Sequence, residues 1–317
     1  MKELLENSLD AGATEIRIEA ESGGRKLIRM ADNGIGMMRD DALLAFERHA
    51  TSKIAKAEDL ASIRSLGFRG EAVPSIAAVS RFTMTTRERG TLSGTQIQIA
   101  GGKILSVQDT GAAEGTTIEV RNLFFNTPVR RKFMRSAQTE MGHVTEAFTR
   151  LALAHPQIKF VLRHNERTVY DLPAGQDVTA RIALFFGEEL ARDLLPIDSR
   201  DGDVRLHGFV ARPSQSRSHP RMQYLFLNGR FIRDRSLGHA LQEAYRGLLM
   251  TGRYAVAFLF LRMPPDAVDV NVHPTKAEVR FRDSQSLYHL VRATIKKALL
   301  AKDLLPQLQV THDEPVM

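Results

Sequence analysis

Two short sets of residues near the start of the chain have the types and spacing to do chemistry. Glu3 and Asn7 stand four apart in Lys2-Glu3-Leu4-Leu5-Glu6-Asn7-Ser8-Leu9-Asp10, a run of helix formers that Gly12 is placed to end. They share one helix face while Leu5 and Leu9 share another. A glutamate there can take a proton from an attacking water, and an asparagine oxygen is a hard ligand suited to Mg²⁺. Taken alone, the same face also reads as the solvated stripe of an amphipathic helix. The second set is Asp32-Asn33-Gly34-Ile35-Gly36-Met37, entered from a segment whose Leu27/Arg29 and Ile28/Met30 alternate as in a strand. The aspartate can accept a hydrogen bond from an amino group, and the two glycines let a flat ring lie against the main chain, which suits adenine. In isolation the motif reads first as a plain β-turn.

The elements that must hold these groups follow from periodicity. Residues 13–20 alternate like a strand, and Ser22-Gly23-Gly24 turns them back into the Asp32 strand, giving a helix followed by a hairpin. A helix is expected from Arg39 to Arg48, then Thr51, Ser52 and Lys53 with side-chain donors. Gly67-Phe68-Arg69-Gly70-Glu71-Ala72 is a second glycine loop, opening a helix through Ile76. Backbone N–H groups at such a loop can hold phosphate oxygens. There is no Gly-x-x-x-x-Gly-Lys-Ser/Thr, so a P-loop is not supported. Strands are expected at 81–86, 95–99 and 116–120, where Thr116 either brings a hydroxyl to a ligand or is part of a buried strand. A helix at 138–154 and a strand at 159–163 follow.

Asp171-Leu172-Pro173-Ala174-Gly175-Gln176 is the expected domain boundary. The sequence beyond it has its own pattern: helix 178–186, strands 204–210, 222–227 and 230–232, helix 236–249, strand 254–262 and helix 287–300. The segment from Lys302 contains Pro and acids and reads as the start of a linker.

Composition sets the frame. The chain has 317 residues, 43% hydrophobic and 26% charged, enough for two domains with cores of their own. No apolar stretch approaches a membrane span and no secretory pattern opens the chain, so a cytoplasmic protein with no membrane partner is expected. The absence of cysteine excludes disulfides and cysteine-held metals. A formal charge of +7 favours polyanionic partners.

The ordered set of Glu3 and Asn7, Asp32-x-Gly34-x-Gly36, Gly67 to Ala72 and Gly115-Thr116-Thr117 resembles the four nucleotide motifs of the GHKL ATPase superfamily. Within it, Glu6-Asn7-Ser8-Leu9-Asp10-Ala11-Gly12, Arg48 to Lys53, Phe125-Asn126-Thr127-Pro128-Val129-Arg130-Arg131-Lys132-Phe133 and Asn271-Val272-His273-Pro274-Thr275-Lys276 are similar to the MutL mismatch-repair family. The resemblance implies an α/β fold, a GHKL (Bergerat) ATPase α/β sandwich over 1–175, followed by a ribosomal S5 domain 2-like α/β domain over 176–301 and a linker from 302 to 317. It implies ATP and Mg²⁺ as cofactors. Glu3 would be the general base and Asn7 the Mg²⁺ ligand, on one side of a single γ-phosphate as positioning-dominated phosphoryl transfer requires. Asp32 would bind the adenine amino group beside Gly34 and Gly36. Thr51, Ser52, Lys53, Gly67, Phe68, Arg69 and Gly70 would form lid and phosphate loop, with Thr116 closing the adenine side.

Lys276 would reach the γ-phosphate from the second domain; without the resemblance it reads as a solvated lysine beside a Pro turn. His273 reads as structural, since no second His stands at ligand spacing. Arg230, Arg233 and Arg235 would face DNA, with strand alternation pointing Arg233 and Arg235 the same way; an ion pair with Asp234 or a neighbouring acid is the other reading. Arg130, Arg131, Lys132 and Arg135 form a cluster read as partly structural, because it flanks Phe124, Phe125 and Phe133.

The family carries a segment of roughly two dozen residues ahead of the first helix that contributes to the ATP-dependent dimer and to the nucleotide lid. Its absence here, which leaves Glu3 in a first helical turn, leads us to expect weaker nucleotide binding and turnover. The resemblance also implies a weak ATPase in DNA mismatch repair, sequence-independent DNA binding and a nucleoid-associated protein. Its implied partners are a second copy, a MutS-type mismatch-recognition protein and a downstream nuclease and helicase. The alternatives are a non-hydrolysing DNA-binding scaffold or another GHKL ATPase.

Overall fold

The computed structural model describes residues 1–47, 71–269 and 279–301. These residues divide into two compact units that meet in sequence at Phe185/Phe186.

The first unit is built on a mixed sheet whose strands are β1 (Glu15–Glu21), β2 (Leu27–Asp32), β3 (Arg81–Arg87), β4 (Gly94–Ala100), β5 (Lys103–Thr110), β6 (Gly115–Arg121), β7 (Lys159–His164) and β8 (Arg167–Leu172). Their order across the sheet is β5-β4-β3-β6-β2-β1-β7-β8. The β1/β7 pair is parallel and the others are antiparallel. Helices α1 (Lys2–Asp10), α2 (Arg39–Leu44), α3 (Ala72–Ala77), α4 (Pro128–Lys132), α5 (Ala137–Ala154) and α6 (Val178–Phe186) complete it. Alternation along β1 turns Ile16, Ile18 and Ala20 inward, where they meet Leu4 and Leu5 of α1 and Val144, Phe148 and Ala152 of α5. Burial of this single face explains why helix and strand periods are both clear here. α5 begins where Ser136 accepts a hydrogen bond from the Thr139 amide.

The edge strands are less regular. β5 has few buried residues and a bulge in its pairing with β4 between Gln98 and Ile99. With one side unpaired and little face to bury, it carries no clean alternation, and the sequence reading has no strand there. In the second unit, β9 (Leu194–Asp201) is also an edge strand, with Pro196 inside it, and is likewise an addition to that reading.

Arg181, on α6, is fully buried in the first unit. Its Nη2 lies 2.9, 3.1 and 2.7 Å from the carbonyl oxygens of Pro156, Ile158 and Pro173, and its guanidinium sits over the Phe160 ring. Burial pushes its pKa down to about 10. Removing the donor leaves three carbonyls in an apolar setting, so Arg181→Met is expected to cost about 2–4 kcal/mol, read as a shift of the urea midpoint without a change in slope.

The second unit carries α7 (Glu188–Arg192), β9, β10 (Val204–Ala211), β11 (Gln223–Leu227), β12 (Arg230–Ile232), α8 (Arg235–Ala244), β13 (Ala257–Arg262), the short pair β14 (Val268–Asp269) and β15 (Arg280–Phe281), and α9 (Ser284–Leu300). The larger sheet is ordered β12-β11-β13-β10-β9, with β11 and β13 parallel. Leu237 and Leu241 of α8 and Leu287, Val291 and Ile295 of α9 pack on Leu206, Leu225 and Leu259 of the sheet. On the strands that lie side by side, Tyr224 stacks on Phe258 at 5.3 Å and Phe226 on Phe260 at 4.9 Å between ring centres. No described helix is long and apolar enough to cross a membrane.

Candidate functional site

The site grows from the ladder of the first sheet. Asp32 ends β2 directly opposite Thr116 of β6, and Thr116 is directly opposite Thr86 of β3. Residues opposed in this way project to the same face, so three polar side chains stand in a row across three adjacent strands. Asp32 is fixed from two sides: Ser8 Oγ donates to Oδ2 at 2.7 Å and the Gly34 amide to Oδ1 at 3.0 Å. Burial raises the Asp32 pKa above the ordinary carboxylate value, opposed by hydrogen bonds from Ser8 and from the Gly34 and Thr116 amides. The carboxylate is therefore an oriented acceptor in a partly dry setting.

Two glycines let the main chain close up around it. A Cβ on Gly36, where φ is +69°, would stand 1.9 Å from the Arg87 carbonyl oxygen, and one on Gly115, at φ +106°, would stand 2.1 Å from the Asp32 carbonyl oxygen. Only glycine lets these backbones pass so closely. Asn33 clips the loop to β1: its Oδ1 accepts from the Thr14 and Glu15 amides at 2.8 Å each, and its Nδ2 donates to Thr14 Oγ1 at 2.8 Å.

α1 brings Glu3 and Asn7, both half-buried, on a helix anchored by Leu4 and Leu5 beneath and by the Ser8 contact to Asp32 beside it. Glu3 lies in the first turn. Glu3 and Asn7 thus ride on the element that also orients the aspartate. An Asn oxygen with waters and ligand oxygens matches the way Mg²⁺ is held, through one or two protein groups.

The row also brings in residues the sequence reading lacks. Ser8, 4% exposed, has no local signal, since its partner is 24 positions away. Thr86 has one: it falls on the inward face of β3 with Phe82 and Met84, where a polar residue calls for a polar partner. Thr86 Oγ1 lies 3.0 Å from Thr116 Oγ1 and 3.1 Å from the Gly115 carbonyl oxygen, and it accepts from the Met37 amide at 3.0 Å.

The structure thus brings Asp32, Gly34 and Thr116 together, in the loop that also holds Gly36, and places Glu3 and Asn7 on the helix whose Ser8 bonds Asp32. Thr51, Ser52, Lys53, Gly67, Phe68, Arg69, Gly70 and Lys276 lie outside the described residues. In the second unit the arginines separate. Arg230, on β12, is only 8% exposed, whereas Arg233 and Arg235 are exposed. The expected strand alternation of Arg233 and Arg235 does not hold, because the strand stops at Ile232 and Asp234 caps α8, accepting from the Leu237 amide at 2.8 Å. Arg130, Arg131, Lys132 and Arg135 are all exposed, as is Phe133, since α4 is little more than one turn and buries none of its residues.

Comparison with known proteins fits this arrangement. Residues 1–120 match the family described as histidine kinase-, DNA gyrase B-, and HSP90-like ATPase, and residues 182–300 match that described as DNA mismatch repair protein, C-terminal domain. Proteins named DNA mismatch repair protein MutL from Geotalea daltonii and Geobacter sulfurreducens are 51% and 52% identical over 299 residues, covering 94% of this chain and 50% and 49% of theirs. The chain spans about half the length of these curated relatives. Among solved structures, the Aquifex aeolicus MutL ATPase domain complexed with ADP superposes with a TM-score of 0.66 at 28% identity, covering 93% of this chain and 95% of that one. The N-terminal domain of a DNA repair protein shares the fold at a TM-score of 0.81 and 24% identity, over 96% and 94%. The fold is accordingly a GHKL ATPase α/β sandwich followed by a ribosomal S5 domain 2-like α/β domain. By its sequence and its fold, the chain belongs to the MutL family of DNA mismatch repair proteins.

Proposed function

We propose that the first unit binds Mg²⁺-ATP at the Asp32 site and hydrolyses it slowly, and that the whole protein uses this cycle as a switch in DNA mismatch repair. The observation that carries the reading is the Asp32 carboxylate, fixed as an oriented acceptor by Ser8 and the Gly34 amide in a loop whose close backbone passage needs glycine. Asp32 receives the amino group of adenine and Thr116 closes the same edge. Glu3 takes the proton of the attacking water; Asn7, on the same helix face, supplies an oxygen to Mg²⁺. Bound Mg²⁺ offsets the charge of the phosphates. The family resemblance assigns the phosphate cover to Thr51, Ser52, Lys53, Gly67, Phe68, Arg69 and Gly70, and a γ-phosphate contact to Lys276. That a relative of this fold is complexed with ADP supports nucleotide binding by the first unit.

Phosphate release from Mg²⁺-ATP, measured beside binding of a non-hydrolysable analogue, tests this. Binding with slow release is expected. Binding without release leaves a scaffold, and no binding overturns the nucleotide reading.

ATP-driven pairing of two copies, a MutS-type partner, a downstream nuclease and helicase, and a cytoplasmic, nucleoid-associated location belong to the same proposal for the whole protein. DNA contact falls to exposed cations, Arg233 and Arg235 first, and not to Arg230, whose burial keeps it from a phosphate. Such binding is sequence-independent, and the logarithm of its binding constant falls linearly with the logarithm of salt concentration. Arg235→Ala is expected to weaken it on any sequence and to reduce the salt slope by about 1. An unchanged slope in a filter-binding titration would remove Arg235 from the contact.

A further inference from the structure

The Asp32 carboxylate leaves the identity of the base open, and base selection at this site depends on the nucleotide binding proposed above. An ionised carboxylate only accepts hydrogen bonds. It is satisfied by the 6-amino group of adenine and equally by the 2-amino group of guanine. The two bases differ at the ring nitrogen next door: N1 of adenine accepts, whereas N1 of guanine carries a proton and donates. The discriminating protein group must stand beside Asp32 and must offer a donor for adenine.

Thr116 has that place, opposite Asp32 in the ladder and half-buried, with its amide helping to hold the carboxylate. A hydroxyl donates one proton and accepts through two lone pairs, so its sense toward a ligand depends on its other partner. That partner is Thr86, 1% exposed, with Oγ1 3.0 Å from Thr116 Oγ1. The Thr86 proton has two acceptors within reach, Thr116 Oγ1 and the Gly115 carbonyl oxygen at 3.1 Å. Given to Thr116, it frees the Thr116 proton to turn toward the base. Given to Gly115, it obliges Thr116 to donate back to Thr86, leaving only lone pairs toward the base.

The head of the chain of bonds is fixed, because the Met37 amide, 3.0 Å from Thr86 Oγ1, can only donate. Met37 also belongs to the loop that carries Gly34 and Gly36, so these bonds tie the base-facing loop to the selecting hydroxyl. A run from Met37 N–H to Thr86, from Thr86 to Thr116 and from Thr116 to the base has every donor pointing one way, the arrangement in which successive bonds reinforce one another. We propose that Thr86 sets Thr116 as a donor toward the base and is thereby the positioning residue that makes this site select adenine over guanine. Thr86 does not touch the base; it acts through Thr116.

The test uses the full chain and two probes, the non-hydrolysable analogues of ATP and GTP, with the dissociation constant of each measured on Thr86→Val and Thr86→Ser. Valine keeps the shape without the hydroxyl, and serine keeps the hydroxyl. The parent is expected to prefer the adenine analogue. Thr86→Val should narrow that preference about tenfold, chiefly by weakening the adenine analogue, while Thr86→Ser stays within about twofold of the parent. Thr116→Val should narrow it similarly, and the double variant little further, because the two hydroxyls act as one unit. A melting curve for each variant shows whether it is folded; should Thr86→Val fail to fold, Thr86→Cys, whose thiol donates weakly, carries the same expectation. A preference unaltered by Thr86→Val or Thr86→Cys overturns the assignment. No binding of either probe to the parent overturns the nucleotide reading as well, so the two failures are distinguishable.

Discussion

Glu3→Ala is expected to lower phosphate release by about 10²–10⁴-fold while binding of a non-hydrolysable ATP analogue stays within about twofold, the range associated with loss of a positioned general base. The division between the two readouts follows from where Glu3 sits. It is half-buried in the first turn of α1, and that helix is held by its neighbours, Leu4 at 2% and Leu5 at 0% exposure, not by the glutamate. Truncating Glu3 removes no core contact of those leucines and no bond to Asp32, which Ser8 supplies. Measured by single-turnover hydrolysis beside equilibrium binding, parallel loss of both would make Glu3 a binding group. Unchanged release would place the base elsewhere.

Asp32→Asn is expected to weaken the ATP analogue by about 10–100-fold, since a hydrogen bond to a charged acceptor contributes roughly 1.5–3 kcal/mol. The change keeps the size of the side chain and removes its charge. It should also alter the pH response. Because burial raises the Asp32 pKa, protonation sets in at a higher pH than for an exposed aspartate, and affinity should fall as the solution is acidified through that raised value. In the Asp32→Asn variant this limb should flatten. For stability the sign is opposite. A carboxylate whose folded pKa lies above its unfolded one contributes fully below the unfolded value and loses that contribution as pH rises through the folded value. The unliganded protein therefore carries the cost of a buried charge at neutral pH. The melting gap between parent and variant should favour the variant there and shrink in acid, checked between about pH 4 and 8.

What the sequence reveals of this site is what lies close together along the chain. Glu3 and Asn7 are one helical turn apart, and Asp32, Gly34 and Gly36 occupy one loop, so local periodicity and turn chemistry suffice for them. The strand pattern leaves Thr116 either a ligand hydroxyl or part of a buried strand, and only the family resemblance chooses between them; its position opposite Asp32 is a matter of register, which no local pattern specifies. Ser8 and Thr86 are further removed, since each matters only through a partner that the fold supplies. The same limit governs the elements. β1 and α5 bury one face and announce their period, while β5 and β9 sit at sheet edges, one with few buried residues and the other holding Pro196, and do not. The turn at Arg233 to Arg235 is legible in part: Asp234 three positions before Leu237 is a capping arrangement, and it ends the strand that alternation would continue.

Arg181 bears on how the molecule can be cut. The Pro-Gly segment at 171–176 looks like the natural place to divide the chain, yet the guanidinium that closes the Pro156, Ile158 and Pro173 carbonyls comes from beyond it. A fragment trimmed at Gly175 would keep the eight-stranded sheet and lose its fastening, whereas one carried through Phe185 retains both. For anyone dissecting a protein of this family, the place to cut is set by which side chain answers which carbonyl, and loop composition is a poor guide to it.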